Sequence, residues 1–212
     1  DADMQFAPAV LEDGRTIEIS SGRFIPLMES ADRQVREKVF KSYYASYTAL
    51  KNTLAATLTA SVKGDVFAAK ARGFSSSLEA SLYGDNVPVA VYDALIEAIH
   101  DALPSMYRYM ALRKKALNVD ELHMYDLYTP IVNEGNLPMD YDEAKAAVVE
   151  ALAPLGEAYT KALAQGLESH WVDVYENKGK ASGAYSWGCW GVHPYVLMDS
   201  AGTADSASTL AP

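Results

Sequence analysis

The 212-residue sequence predicts a mainly α-helical bundle with a small antiparallel or mixed β-sheet near its C-terminal end. Three observations carry this. Apolar residues recur every three or four positions from Val35 to Val62, and again from Val91 to Met110. That spacing lays one stripe along one face of a helix. From Glu176 to Met198 the pattern changes to ENKGKASGAYSWGCWGVHPYVLM. Glycines followed by alternating small, aromatic and apolar residues make a Gly-punctuated loop feeding short strands. Finally, a hydrophobic content of 50% supports a packed core, and a chain of this length buries roughly 70% of its unfolded surface.

Residues 1–29 form a lead-in. Thr16–Ile19 and Phe24–Leu27 flank Ser21-Gly22, the pattern of a short hairpin. Residues 30–169 form the helical body. Ser30 suits an N-cap, with Asp32 in the first turn where the helix dipole favours an acid. Val35, Val39, Tyr43, Tyr47, Leu50, Leu54, Leu58 and Val62 then mark one long helix, with Gly64 as its break and Phe67–Arg72 adding a turn or two. A second long helix follows Asn86 and Pro88, and Pro104 should kink or divide it. Asp140 and Glu143 have the spacing of a capping box. Pro154 fits the first turn of a fourth helix carrying Tyr159 and Leu163, which Gly166 weakens or ends. Residues 170–199 are the small sheet, and 200–212 read as a weak helix or a flexible tail. No repeat of fixed period is visible.

The net charge of −10, from 28 acids and 18 bases, argues against nucleic acid and anionic membrane as partners. One cysteine, Cys189, leaves no internal disulfide. No apolar run has the length of a membrane span. The first residues, DADMQFAPAV, have neither a signal-peptide pattern nor an initiator Met. The chain therefore reads as starting inside a longer, cytoplasmic protein.

Candidate chemistry is sparse. His100, His123, His170 and His193 include no i, i+4 pair and no His-Glu-x-x-His, so no metal ligand and no catalytic residue is assigned. Cys189 lies four residues from His193, but sequence proximity is a poor guide to a Cys–His nucleophile, and a structural thiol is the better reading. Gly183 to Gly188 misses the nucleophile-elbow spacing by one residue. Gly179-Lys180-Ala181-Ser182 lacks the upstream glycine of a phosphate loop. Arg108, Arg113, Lys114 and Lys115 read as a solvated face complementing a helix C-terminus.

Motifs along almost the whole chain, taken in order, resemble oligoendopeptidase F, a thimet-type zinc oligopeptidase family. They are Asp32-Arg33-Gln34-Val35-Arg36-Glu37, Ala69 to Phe74 with Leu78-Glu79, Asn86-Val87-Pro88, Tyr109 with Leu112 to Leu117, Tyr125-Asp126-Leu127, Pro154-Leu155-Gly156, Trp171-Val172-Asp173, ENKGKASGAYS and PYVLM. Single pieces are weak, whereas the ordered set is strong. The resemblance covers the central part of that family and lacks its His-Glu-x-x-His half. Thr209-Leu210-Ala211 matches the run before that motif, and Pro212 stands where the first zinc ligand belongs.

The resemblance implies the helical bundle of a zincin-like oligopeptidase with a channel closed by the small sheet. It implies zinc as cofactor in the intact enzyme, none in this chain, and short peptides as substrates. Ser182, Gly183, Ala184, Tyr185 and Ser186 are the candidate substrate-binding residues, because an edge strand with small side chains lets a peptide backbone approach and pair. The competing reading of those residues is an interior strand. This chain alone is expected to be an inactive fragment of a zinc metalloendopeptidase, partnered by the missing catalytic half and open to self-association. The alternative is a non-catalytic helical module that binds peptides or a protein partner.

Overall fold

The computed structural model describes residues 4–132, 138–177, 179–180, 182–200 and 202–210. Ala211, the last residue of the Thr-Leu-Ala run, and Pro212 after it lie outside them. In chain order the elements are strands β1 (Ala9–Val10) and β2 (Thr16–Ile17), then helices α1 (Ser21–Met28), α2 (Arg33–Ala49), α3 (Lys51–Ala71), α4 (Ser77–Tyr83) and α5 (Val89–Ala116). A 3-10 turn at Met124–Asp126 leads to α6 (Tyr141–Ala151), a second 3-10 turn at Ala153–Leu155, and α7 (Glu157–Glu168). Strands β3 (Val172–Tyr175), β4 (Tyr185–Trp187) and β5 (Tyr195–Ser200) precede α8 (Ala204–Leu210). The helical body with a late small sheet is therefore present, and the sheet is mixed.

Several local expectations are corrected. The hairpin does not span residues 16–27: Thr16 and Ile17 pair with Val10 and Ala9, and Phe24–Leu27 lies in α1. Ser20 starts that helix by accepting from the Arg23 N–H at 3.2 Å, and Phe24 and Met28, one turn apart, both reach the core. Asp32 rather than Ser30 caps α2, its carboxylate accepting from the Gln34 N–H at 2.9 Å. The long helix read across 35–62 is two helices meeting at Leu50, whose N–H bonds three residues back to the Tyr47 carbonyl. Gly64 does not break α3, because one glycine costs only about 1 kcal/mol and the helix runs on for a further seven residues to Ala71. Pro104 sits inside an undivided α5, where it removes one backbone hydrogen bond from a long ladder. Pro154 belongs to the 3-10 turn, and Gly156 at φ +94° separates that turn from α7. The capping box of Asp140 and Glu143 forms as expected, with bonds of 2.8 and 3.1 Å.

The chain divides into two compact units, residues 1–46 with 123–212 and residues 47–122. In the first, Ala9, Leu11, Ile19, Phe24, Met28, Val35, Val39 and Tyr125 make the core. Tyr43 stacks on Phe24 at 4.2 Å and on Phe6 at 4.5 Å between centroids, a geometry that adds to area burial. Beside this core Asp126 is fully buried. It accepts from Arg36 at 2.8 Å, from Arg33 at 3.1 and 3.2 Å, and from the His123 N–H at 3.0 Å. Arg36 is itself buried and also donates to the carbonyls of Ser30, Ala31 and Tyr125. Two motifs distant in sequence, one opening α2 and one at the 3-10 turn, thus meet as an ion network. In the second unit α4 packs against both α3 and α5. Its start is built by Ser76, which accepts from the Glu79 N–H, and by Glu79, which accepts from the Ser75 N–H. Leu58, Phe67, Val91, Leu95 and Ile99 on its long helices are exposed.

Candidate functional site

The site is built on the mixed sheet, whose strand order is β3-β5-β4. Apolar Val196, Leu197 and Met198 make β5 its half-buried centre. Val172 and Asp173 of β3 run parallel to Val196 and Leu197, and Tyr185, Ser186 and Trp187 of β4 run antiparallel opposite Leu197, Val196 and Tyr195. Strand β4 pairs with β5 on one side. Among the described residues no strand covers its other side.

The five candidate residues fall together at this edge. Ser182, Gly183 and Ala184 lead into the strand, Tyr185 and Ser186 are its first two residues, and all five are exposed. Gly183 has φ +126°, a conformation other residues rarely adopt, and a Cβ there would meet only open space. Tyr185 and Ser186 also border an apolar cavity of about 410 Å3 between the sheet and helices α7 and α8, floored by Leu163, Leu167 and Leu210. In the cavity wall Gly166 lets α7 approach Trp171, since a Cβ on it would lie 2.6 Å from the indole. Trp171 stacks on His193 at 4.8 Å, and His193 meets Tyr195 at 4.6 Å. His193 Nδ1 is 2.8 Å from the Pro194 carbonyl, which fits a donating Nδ1–H.

The loop before β4 is pinned by charge. The Lys180 side chain is only 4% exposed, and its ammonium donates to the carbonyls of Tyr175 at 2.8 Å and Asp173 at 3.1 Å. The Asp173 carboxylate lies 3.1 Å from the same nitrogen. Asp199 of β5 lies 3.8 Å from it and accepts from the Gly183 N–H at 3.0 Å. Reasoning from sequence missed this group. The signal was a Lys between small residues in a Gly-rich segment, together with Asp199 directly after the apolar run Val196–Met198.

Other candidates are not assembled into a site. His100 is exposed on α5, His170 is exposed in the turn between α7 and β3, and the His123 ring stacks on Tyr125. Cys189 is exposed. Lys180 turns into the protein, away from any phosphate role. The basic cluster on α5 is not wholly solvated, because Arg113 is buried and donates to the Tyr109 hydroxyl at 3.3 Å, so the side chain adds packing as well as charge. Among the described residues no group of three or more His, Cys, Asp or Glu is placed to hold a metal ion. No helix among them is long and apolar enough to cross a membrane.

Residues 26–211 match the sequence profile of Peptidase family M3. The chain belongs to peptidase family M3. Oligopeptidase PepF of Bacillus subtilis is 46% identical to this M3 chain over 209 residues, which are 99% of the chain and 31% of that relative. Oligoendopeptidase F of Lactococcus lactis subsp. cremoris, the chromosomal form, is 39% identical over 99% of the chain and 35% of its own length. Among solved structures, oligoendopeptidase-F from Enterococcus faecium superposes with a TM-score of 0.61 at 44% identity, covering 79% of this chain and 31% of that one. This M3 chain therefore spans about a third of the length of the relatives it matches.

Proposed function

We propose that this chain is part of an intracellular zinc metalloendopeptidase that hydrolyses short peptides, and that it supplies helical channel wall and the substrate-binding edge strand. The M3 match over residues 26–211 carries the reading, and the open side of β4 supports the second half of it. The described residues do not fit a zinc ion: they offer no ligand cluster, and the sequence has no His-Glu-x-x-His. The metal and the chemistry it supplies, polarising a carbonyl and activating water, therefore belong to residues of the whole protein beyond this chain. This chain's own residues bind and orient. An extended peptide pairs with the free N–H and C=O groups of β4, and Ser182, Gly183 and Ala184 leave its backbone room. Backbone pairing of this kind tolerates many side chains, which suits broad cleavage of oligopeptides.

The test is made on the whole protein expressed from its full reading frame. Ala184→Pro removes one backbone donor at the strand entry. Hydrolysis of an internally quenched peptide should fall by about ten-fold or more, the order expected for losing a binding hydrogen bond and its strand geometry, while zinc content by elemental analysis stays at the wild-type value. Unchanged turnover would remove the edge strand from the mechanism. This chain alone should turn over no peptide, and zinc-dependent cleavage by it would overturn the assignment of the metal to the rest of the protein.

A further inference from the structure

Lysine is almost never buried unless its charge is met, because desolvating an ammonium is costly. The Lys180 side chain is 4% exposed; it meets Asp173 and Tyr175 of β3, and through Asp199 of β5 it reaches the start of β4. Its ammonium sits at the irregular step of the β3–β5 register, between Asp173 and Tyr175, and donates to the carbonyls of both. The Asp199 side chain, 10% exposed, faces the Lys180 ammonium across 3.8 Å with Oδ1, a buried oxygen that accepts no hydrogen bond, so the two are coupled by charge, and its Oδ2 accepts from the Gly183 N–H. One carboxylate thus links the buried cation to the backbone two residues before β4 begins. On its other flank Asp199 abuts α1, where a Cβ on Gly22 would lie 3.7 Å from the Asp199 Cβ and 3.2 Å from the Glu176 carboxyl group. The residue is therefore walled in from two directions.

We propose that Lys180 and Asp199 are positioning residues that clamp the entry of β4, holding its edge in the extended geometry a peptide pairs with. The inference rests on the edge-strand reading above. Strand β4 is three residues long, and a strand that short has little ladder of its own to keep it extended. Without the clamp the edge frays, and each bound peptide must order it before pairing. That cost enters the affinity of substrates running along β4 and leaves the bond-breaking step untouched.

The experiment uses the whole protein and compares Lys180→Met, Lys180→Arg and Asp199→Asn, with Ala184→Pro as reference. Steady-state kinetics are measured on a long peptide, and amide hydrogen exchange is followed across residues 172–200. Lys180→Met and Asp199→Asn should each raise KM by about ten-fold, the order expected for losing one charge-assisted contact, with kcat nearly unchanged. Exchange should quicken at Gly183 to Trp187 and hold in β3 and β5. Lys180→Arg, which keeps the charge and donors, should recover part of the KM, and the double variant Lys180→Met with Asp199→Asn should be no worse than the poorer single one. If Ala184→Pro cripples turnover while both clamp variants keep wild-type KM, the clamp is wrong and the edge strand stands. If exchange rises evenly through all three strands, the pair is merely structural and the proposal fails. If Ala184→Pro is silent, the edge-strand reading fails, and unchanged exchange at Gly183 to Trp187 in Asp199→Asn would sink the clamp as well. Should Lys180→Met fail to fold, the near-isosteric Asp199→Asn decides alone.

Discussion

At the scale of single residues, Asp126 is a fully buried carboxylate. Burial pushes its carboxyl pKa up, but hydrogen bonds from Arg33, Arg36 and the His123 N–H outweigh burial and hold it below the ordinary carboxylate value. A folded-state pKa below the unfolded one means stability that is complete above the unfolded value and is lost as pH falls through the folded one. The loss therefore begins below about pH 4, the ordinary Asp range. Asp126→Asn keeps the shape yet leaves Arg36 buried with Arg33 close by and no anion between them. Breaking a buried pair in this way costs about 3–5 kcal/mol. Urea unfolding at pH 7 should show a drop of that order, and the variant should lack the acid-side decline of the wild type below about pH 4. A variant within about 1 kcal/mol of wild type would place Asp126 among ordinary surface-like ion pairs.

At the scale of elements, α7 and the sheet meet through one glycine. Helix propensity alone says that Gly166→Ala should stabilise α7 by up to about 1 kcal/mol. The new Cβ, however, would fall 2.6 Å from the Trp171 ring, which is held flat against His193. Overpacking of this kind costs about 1–3 kcal/mol, so the steric term wins. Gly166→Ala should lower the thermal midpoint and disturb the Trp171–His193 stack, seen as a shift of the His193 ring proton resonances. A raised midpoint would mean that the indole has room to retreat. Periodicity identified the helices here because each buries or presents one face over many turns. It did not identify their joints: the division at Leu50 and the three-residue 3-10 turn at Ala153–Leu155 are short changes of backbone that leave the apolar spacing on either side intact.

At the scale of the whole molecule, large apolar side chains remain in contact with solvent along α3 and α5. Leu58 is 67% and Phe67 73% exposed, with Val62, Val91, Leu95 and Ile99 each above one half. A monomer seldom leaves apolar patches larger than a few hundred Å2 uncovered. The chain spans about a third of the length of its relatives, and we propose that the remainder of the protein covers these faces. This chain alone should then self-associate, with a sedimentation coefficient that rises with concentration. Mixing it with the separately expressed remainder should give one mixed species and recover peptidase activity. A monomer at high concentration that restores nothing on mixing would favour a self-sufficient binding module.

The layout is legible in the residues themselves: the long helices from their 3.6-residue stripes, the α6 capping box from Asp140 and Glu143, and a late sheet from the change to alternating small and aromatic residues. These are local properties, written in neighbours within two turns or one strand. The ordered motifs, which are local as well, carried the family. Only the fold shows that β5 is the centre of the sheet and β3 and β4 its edges, because strand order depends on pairing partners far apart in the chain. It likewise decided that Thr16–Ile17 pairs backwards with Ala9–Val10, that Arg33 and Arg36 close on Asp126, and that Lys180 turns inward to Asp173 and Asp199. In each case the energy resides in a contact between residues the sequence holds apart. A buried charge is recognisable as one only when the group that neutralises it has been brought beside it.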